Sequence, residues 1–446
     1  MKTPRLEGLP AFFVIWFGQL VSLVGSGLTR FALGVWVFQQ TESVTQFTLI
    51  AFFATIPGAV ALPLGGALSD RLDRRRLMFL SDSVAALATM AILILASVDR
   101  LAVWHIYIVV TVQGLAGAFQ WPSYLASIPL LVPKQHLGRA SGITRTGRAI
   151  AEIVAPLVAG GLLALIGLNG IIFIDLITFF FAASMLLLVQ IPKARQTEAG
   201  RAAQGTIRHE IRSARVYIHS RPGLRVLVIY LAVINFAFAL SQVLLTPLIL
   251  SFTDEQTLGI ILAVAGAGML LGTAVMAAWG GPQRQMNGVL AFTVLLGSGL
   301  MMLGWRPTVP LIALGGFIIM FAYPILNGCN EAIWLRKVEP DMQGRITGIR
   351  TVRTYMTVPY AYLTGGLMAD WIFEPLLAPG GALVDSVGQL IGVGAGRGIG
   401  FLLILAGLLP LIMAAVGYGY TRLRLVEDEL PDAVDWQYAE PVTEQG

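Results

Sequence analysis

The sequence has little charge, one cysteine and four scattered histidines. Asp, Glu, Lys and Arg make up 12% of the 446 residues, about half of the ~25% that is usual in soluble domains. A chain of this length with so little charge lacks the polar surface that several water-exposed domains need. The single cysteine, Cys329, excludes an intramolecular disulfide. The histidines do not have the spacing of metal ligands, so we expect no metal site.

Apolar residues are abundant instead, and they are gathered into twelve long runs. They make up 56% of the chain, and twelve helices of about 20 residues would use a similar share of it. The runs lie at about 11–38, 47–68, 77–98, 102–125, 140–166, 168–190, 224–252, 257–280, 288–304, 309–335, 346–372 and 397–420. The sequence therefore predicts an all-α integral membrane protein with twelve transmembrane helices, arranged as two pseudo-symmetric six-helix bundles.

Most of the basic residues lie in every second connection between the apolar runs. An even number of crossings puts both termini on one side, and connections rich in Lys and Arg face the cytoplasm. We therefore expect a multi-pass protein of the cell membrane, in contact with the lipid bilayer, with both termini in the cytoplasm. Because this placement accounts for the net charge of +5, we expect no nucleic-acid partner.

A polar stretch at 192–222 divides the chain into an N-terminal half, 1–191, and a C-terminal half, 223–420. Arginines at helical spacing beside apolar residues predict an amphipathic helix in this linker, lying on the cytoplasmic surface. The acidic tail at 421–446 is expected to be disordered and cytoplasmic.

The two halves share a short repeat. The sequence GRASGI at 138–143 recurs as GRITGI at 344–349, each time at the start of the fifth helix of its half. The same offset superposes the two sets of six apolar runs, which indicates a duplicated architecture of the kind found in secondary transporters.

The connection between the second and third runs has the sequence GALSDRLDRRR at 66–76. It places Asp70 at the membrane surface, where the eleventh helix is expected to begin. A helix N-terminus carries a partial positive charge, so this carboxylate can hold that helix and keep the cytoplasmic side closed. The alternative is that the arginines only fix the topology. Gly65 and Gly66 are expected to let the end of the second helix pack closely against a neighbour. The predicted gate motif consists of Gly66, Asp70, Arg71, Arg74 and Arg75, whose charged members form a network.

The pattern G-x-x-x-D-R-x-x-R-R, in the first cytoplasmic loop of a six-plus-six protein, resembles the signature loop of the major facilitator superfamily. The stretches at 129–140 and 174–179 resemble its macrolide-efflux and enterobactin-exporter branch. The resemblance implies a secondary exporter of bulky amphipathic small molecules of the drug, macrolide or siderophore type. It further implies that proton antiport drives export, with the two halves rocking around a central site. We also expect a monomer without a cofactor.

Two features depart from the drug antiporters of that superfamily. Val110 stands where many of them have an arginine three residues before the Gln-Gly pair, which here is Gln113-Gly114. The glycine series of the fifth helix is partly replaced by alanine, although small residues still allow close helix approach. This antiporter-like motif comprises Gly142, Ala151, Ala155, Pro156 and Gly160.

Ionisable residues inside the apolar runs are the candidates for proton coupling: Arg30, Glu152 and Asp175. Each costs at least ~2.5 kcal/mol to insert. The resemblance places helices one and five side by side, so Arg30 and Glu152 can face each other. A structural pair, or a bridge from Arg148 to Glu152 on one helix face, is the alternative. Asp175 lies on helix six, which the resemblance places at the periphery, so a structural role is the alternative for it.

The substrate cavity is expected between helices one, four, seven and ten, because the resemblance implies it. Sparse polar groups on an apolar wall suit a large amphipathic ligand, although hydrogen bonds between helices are an alternative use for them. The candidates are Gln113, Gln120, Trp121, Asn235, Gln242, Tyr323, Asn327 and Asn330.

Asp82 and Glu331 lie close to predicted cytoplasmic helix ends, where we expect them to cap helices or pair with loop arginines. Other functions stay open at this point. The same resemblance accommodates uptake or flipping of lysolipids or another solute. A membrane-embedded enzyme or sensor would need clustered catalytic side chains or a sizeable soluble domain, and neither is visible, so we do not expect an enzyme.

Overall fold

The computed structural model describes residues 6–192, 217, 219–339 and 343–429, which are almost entirely α-helical. Its long helices are α1 Gly8–Thr41, α2 Val44–Arg71, α3 Arg74–Ser97, α4 Val103–Leu131, α5 Leu137–Leu188, α6 Pro222–Leu250, α7 Glu255–Trp279, α8 Gln285–Trp305, α9 Val309–Lys337, α10 Gln343–Tyr355, α11 Thr357–Met368 and α12 Arg397–Gly419. Short helical segments lie at Lys134–His136, Ala369–Phe373, Glu374–Leu377, Val387–Ile391, Thr421–Arg424 and Val426–Glu429.

Ten helices in the described part are long and apolar enough to cross a membrane. The number differs from the predicted twelve for two reasons. Helix α5 contains two arms joined at Gly167, and the eleventh expected crossing is interrupted at Met356 between α10 and α11. When the arms of α5 are counted separately and the interrupted crossing is counted once, the predicted number is reached.

The chain reverses at Gly167 without a loop. This glycine has φ +66°, a left-handed conformation that side chains with a Cβ rarely adopt. Trp16 of α1 donates to the carbonyl of Ile143 on the first arm, at 3.2 Å. Two residues further along α1, Gly18 packs against Met185 on the second arm. Because both arms reach the same level of α1, they run antiparallel, as the predicted fifth and sixth helices require.

Helices α2 and α4 approach so closely that their contact face needs glycine. A Cβ on Gly65 would overlap the carbonyl oxygen of Ala118, and one on Gly114 would overlap that of Ala54. Gly66, in contrast, faces open space. The predicted close packing is therefore confirmed for Gly65 and wrong for Gly66, because a shift of one residue turns a helix position by about 100° and the contact face carries Gly65.

Part of the tail is ordered and packed, contrary to the prediction. Residues 421–429 form two short helices, and the side chains of Leu423 and Val426 are buried. The Glu427 carboxylate accepts the Met286 backbone amide at the start of α8, at 2.8 Å. Apolar burial and a helix cap thus hold this segment. The rest of the tail and most of the linker, with its predicted amphipathic helix, lie outside the described residues.

The two halves meet on the membrane face where α1 ends and α2 begins, which we call the far face because it lies opposite the first and last described residues. Here α5 packs against α7. A Cβ on Gly160 would lie 2.6 Å from the Glu255 carbonyl oxygen, and one on Gly259 would lie 2.8 Å from that of Pro156. Small residues therefore allow close helix approach, as predicted for the fifth-helix motif.

A carboxylate also joins the halves on the far face. Asp370, in the helical turn after α11, accepts the Ser43 hydroxyl at 2.7 Å and the backbone amides of Val44 and Thr45 at 3.0 and 2.8 Å. All three donors belong to the N-terminus of α2, whose partial positive charge favours a carboxylate. Asp370 of the C-terminal half thus caps a helix of the N-terminal half.

Replacing Gly160 by alanine is expected to lower the thermal unfolding temperature of the purified protein. The added methyl group has no room against the Glu255 carbonyl, and such overpacking costs about 1–3 kcal/mol. Gly161→Ala is the matched control, since a Cβ there meets nothing within 4 Å and alanine favours the helix. Equal unfolding temperatures for the two variants would contradict the contact.

Asp370→Ala is expected to open the far face. It removes a charged acceptor of three hydrogen bonds, each worth about 1.5–3 kcal/mol. Spin labels at Arg100→Cys and Arg306→Cys, both exposed on this face in different halves, in a Cys329→Ala background, should show a longer-distance population. Asp385→Ala, an exposed acid on the same face, should leave the distances unchanged. Unchanged distances in Asp370→Ala would show that Asp370 does not hold the two halves together.

Candidate functional site

A cavity of about 280 Å³ lies where the N-terminal half meets α6, and we call it the inter-half cavity. Its wall is mostly apolar, and its ionisable side chains are Arg30, Arg148 and Glu152. The lining residues are Leu23, Gly27, Arg30, Phe31, Gly34, Phe47, Arg148, Ala151, Glu152, Ala155, Pro156 and Thr246.

Arg148 and Glu152 form an ion pair one turn apart on α5, with 3.1 Å between Nε and Oε1. Both side chains are about half exposed, 52% each, because they face the open cavity. Arg148 also lies over the ring of Trp121 on α4, 4.9 Å from its centroid, a cation–π geometry. The bridge that the sequence left as an alternative is therefore present.

Arg30 lines the same cavity and lies within electrostatic range of Glu152, Arg148 and Asp175. It sits eleven residues before the end of α1, or about 16 Å along the helix axis. The structure thus brings the two predicted coupling residues Arg30 and Glu152 to one cavity, with Arg148 as a third member.

The fifth-helix motif forms part of this wall. Ala151 and Ala155 are buried, and a Cβ on Gly27 of α1 would lie 2.5 Å from the Ala155 Cβ. Gly142, in contrast, meets nothing within 4 Å. Close packing therefore begins further along the helix than the motif's first glycine.

A second cavity of about 180 Å³ lies inside the N-terminal bundle, between α1, α3, α4 and the second arm of α5, and we call it the bundle cavity. Its ionisable side chains are Arg30, Asp82 and Asp175, so Arg30 belongs to both cavities. The lining residues are Gln19, Ser22, Leu23, Ser26, Arg30, Ser81, Asp82, Ala85, Ala86, Thr89, Gln113, Ala116, Gly117, Gln120, Asp175, Leu176 and Phe179.

Amides connect Asp82 to the opposite wall of the bundle cavity. Gln19 donates to the Asp82 carboxylate at 3.3 Å, and Gln120 donates to the side-chain oxygen of Gln19 at 2.6 Å. The prediction that Asp82 caps a helix or pairs with an arginine is wrong. Because α3 begins at Arg74, Asp82 lies eight residues, or about 12 Å, inside the helix.

Asp175 also faces the bundle cavity. It is 4% exposed, and its carboxylate accepts the Ser26 hydroxyl of α1 at 3.2 Å. Gln113 donates to the Thr89 hydroxyl at 3.0 Å. The candidates Gln113 and Gln120 therefore line the bundle cavity of the N-terminal half and not the space between the halves.

The candidates in the C-terminal half lie on α6 and α9. Tyr323 donates to Asn235 at 3.2 Å and stacks on Phe238, with ring centroids 3.8 Å apart. Asn327 donates to the carbonyl of Tyr323, and Asn330 accepts the Trp334 ring N–H, both at 3.0 Å within α9. Gln242 is exposed. The Asn235–Tyr323 bond joins two helices, the alternative that the sequence left open.

The predicted gate is described in part. The side chains of Asp70 and Arg71 lie outside the described residues, so the contact with the eleventh helix stays a prediction. Arg74 donates to the Ser69 and Ala126 carbonyls. Arg75 donates to the Leu186 and Leu187 carbonyls at 2.9 and 2.7 Å, where a cation matches the negative end of α5.

Glu331 of α9 pairs with Arg350 of α10, whose guanidinium also lies over the Trp334 ring, 5.0 Å from its centroid. Glu331 therefore pairs with an arginine, as predicted, but this arginine lies on a helix and not in a loop. In the part of the chain that the structure describes, no three His, Cys, Asp or Glu side chains lie close enough together to hold a metal ion.

Sequence reasoning missed the bundle cavity, with Asp82, Gln19 and Ser26. One signal was available: Ser81-Asp82-Ser83 interrupts an otherwise apolar helix. Three polar residues in a row inside a membrane helix need a polar cavity or a polar neighbour. Only the structure shows that Gln19 of α1 lies at the same depth as Asp82.

Comparisons with known proteins agree with this architecture. Over 371 residues the chain is 26% identical to macrolide efflux protein A of Streptococcus pyogenes, an alignment covering 81% of this chain and 90% of that protein. It is 23% identical to the multidrug efflux pump Tap of Mycolicibacterium fortuitum, covering 80% and 88%. It is 26% identical to the enterobactin exporter EntS of Escherichia coli O1:K1 / APEC, covering 36% and 38%.

The fold is shared with solved transporter structures. A bacterial homolog of the human lysosomal transporter Spinster, in an inward-facing and unoccupied conformation, matches with a TM-score of 0.69 and 13% identity, covering 94% of this chain and 97% of that one. The nucleoside transporter NupG matches with a TM-score of 0.65 and 14% identity, covering 92% and 99%. The model of the Major Facilitator Superfamily matches residues 15–359. The helical halves, the shared fold and this match together show that the chain belongs to the major facilitator superfamily of transporters.

Proposed function

We propose that the protein is a secondary active exporter of bulky amphipathic small molecules, driven by proton antiport. In this proposal it acts as a monomer with both termini in the cytoplasm, and the proton gradient is its energy source without a cofactor. The observation that carries the proposal is the inter-half cavity, an apolar space that contains an ionisable cluster at membrane depth. The similarity to efflux proteins for macrolides and other drugs supports the substrate class.

In this proposal, alternating access uses contacts at opposite ends of the bundle. On the far face, Asp370 and the Gly160–Gly259 packing hold the halves together. On the other face, we propose that Asp70 holds the eleventh helix, with Arg71, Arg74 and Arg75 nearby. The two sets of contacts would form in turn, so that the central site opens to one side at a time.

Coupling is assigned to Arg30, Glu152 and Asp175. Glu152 lies half exposed in the inter-half cavity, where a substrate would sit, and Arg30 connects it electrostatically to Asp175. A substrate that displaces Glu152 from Arg148 changes the field at Arg30. This change reaches the carboxylates on the other side of the guanidinium, because charges interact strongly where water is scarce.

Inverted membrane vesicles with an imposed proton gradient should accumulate at least one of erythromycin and enterobactin. Vesicles that lack the protein, and vesicles treated with a proton uncoupler, provide the baseline. Accumulation of lysophosphatidylethanolamine alone would favour a lipid carrier instead. If none of the three probes accumulates in a gradient-dependent way, the exporter proposal fails.

Glu152→Gln should shift the pH dependence of transport, because it changes the field at Arg30, and it should reduce gradient-driven accumulation by about tenfold, equivalent to ~1.4 kcal/mol. The amide keeps the size of the side chain but breaks the ion pair with Arg148. Transport rates are measured in the same vesicles across a series of external pH values. Glu7→Gln, at an exposed position, is the control. A wild-type pH profile in Glu152→Gln would remove Glu152 from the mechanism.

A further inference from the structure

The two cavities beside Arg30 together hold an unbalanced set of charges. Their ionisable lining residues are two arginines, Arg30 and Arg148, and three acids, Asp82, Asp175 and Glu152. With every group ionised, the set carries one excess negative charge at membrane depth. Such a charge is costly in a low-dielectric interior. Binding one proton makes the set neutral.

The surroundings of the three acids differ in a way that selects one of them. Glu152 has Arg148 at 3.1 Å. Asp175 accepts the Ser26 hydroxyl and lies within electrostatic range of Arg30. Asp82 has the Gln19 amide as its hydrogen-bond partner, and no cation contacts it among the residues that the structure describes. A carboxyl group without a counter-ion gains most from taking up the proton.

We propose that Asp82 binds the proton that crosses the membrane in the direction opposite to the exported substrate. This proton site lies inside the bundle cavity, separate from the substrate. This inference rests on the proposed antiport and gives it a proton site that lies apart from the site of the substrate. Asp82 takes a proton from water on one side of the membrane to become the neutral acid. It returns that proton to water on the other side when the halves have moved.

The bundle cavity is large enough to hold water beside this carboxyl group. Its volume of about 180 Å³ is well above the 10–15 Å³ that a single water needs. The Gln19–Gln120 pair links Asp82 on α3 to α1 and α4. An amide can donate to the carboxylate and, after rotating, accept from the protonated acid. The pair therefore holds Asp82 in both protonation states.

Arg30 is the link between proton and substrate. The groups facing the bundle cavity include the polar but uncharged Gln113 and Gln120 on α4, Arg30 on α1 and Asp175 on the second arm of α5. Of these four residues, only Arg30 also faces the inter-half cavity. When a substrate draws Glu152 away, the guanidinium acts more strongly on the bundle cavity and favours the charged form of Asp82. The proton then leaves as the substrate binds.

Infrared spectroscopy of the purified full-length protein in lipid nanodiscs tests the proton site without a substrate. At pH 7 the wild type should show the carbonyl stretch of a protonated carboxyl group. Asp82→Asn should lose this band, and Asp82→Glu should keep it at a shifted frequency. Asp99→Asn, at an exposed position with φ +51° that asparagine tolerates, should leave the band unchanged. A band that persists unaltered in Asp82→Asn overturns the proposal.

Transport of erythromycin separates this inference from the proposed function. In Asp82→Asn, gradient-driven accumulation should fall by roughly a hundredfold, the lower end of what a proton-transferring group contributes. Exchange of erythromycin at equal concentrations, which moves no net proton, should be retained, and this also shows that the variant is folded. Full gradient-driven transport in Asp82→Asn refutes the proton site. Absence of gradient-driven transport in the wild type refutes the antiport itself, whereas the infrared result still decides whether Asp82 binds a proton.

Discussion

A guanidinium held at membrane depth is the constraint around which the N-terminal half is built. Hydrocarbon offers Arg30 no counter-ion, so the protein must supply one. A cavity lies on either side of α1, and Glu152 lines one of them and Asp175 the other. The packing of α1 against both arms of α5 brings these three residues together. Transport chemistry and helix packing therefore depend on the same contacts.

Five other acidic side chains lie at the start of a helix and cap it. Asp73 caps α3, Asp254 caps α7, Asp370 caps α2, Glu374 caps α12 and Glu427 caps α8. Each satisfies backbone amides that a helix start leaves without partners.

Two of these caps on the far face differ in their protonation behaviour because their surroundings differ. The hydrogen bond from the Thr257 amide lowers the pKa of the exposed Asp254. Burial raises the pKa of Glu374, although the amides of Ile399 and Gly396 oppose that shift. Asp370 is the cap that joins the two halves. A helix-start carboxylate thus serves both the secondary structure and the contact between the halves.

The sequence predicts the fold well because the membrane restricts which structures the chain can adopt. Long apolar runs must be helices, and the distribution of basic residues orders them. Side-chain direction is harder to predict. Gly65 and Gly66 are neighbours in sequence but face different ways, and Asp82 was expected near a helix end because its helix begins a turn earlier than the apolar run. The segment 421–429 has the sequence of a polar tail. Its two buried apolar side chains do not predict ordered packing, because the surface that buries them is not apparent from the sequence.

Gly167 and the segment after α11 make the two halves unequal despite their repeat. In the N-terminal half, one glycine joins the fifth and sixth crossings at the far face. In the C-terminal half, the eleventh crossing ends in a π-helical turn at Ala369–Phe373 and is separated from α12 by a long connection. The duplicated halves therefore differ where they meet: the longer connection begins with the turn that carries Asp370, so the contact between the halves is built on the part of the C-terminal half that has no counterpart in the N-terminal half.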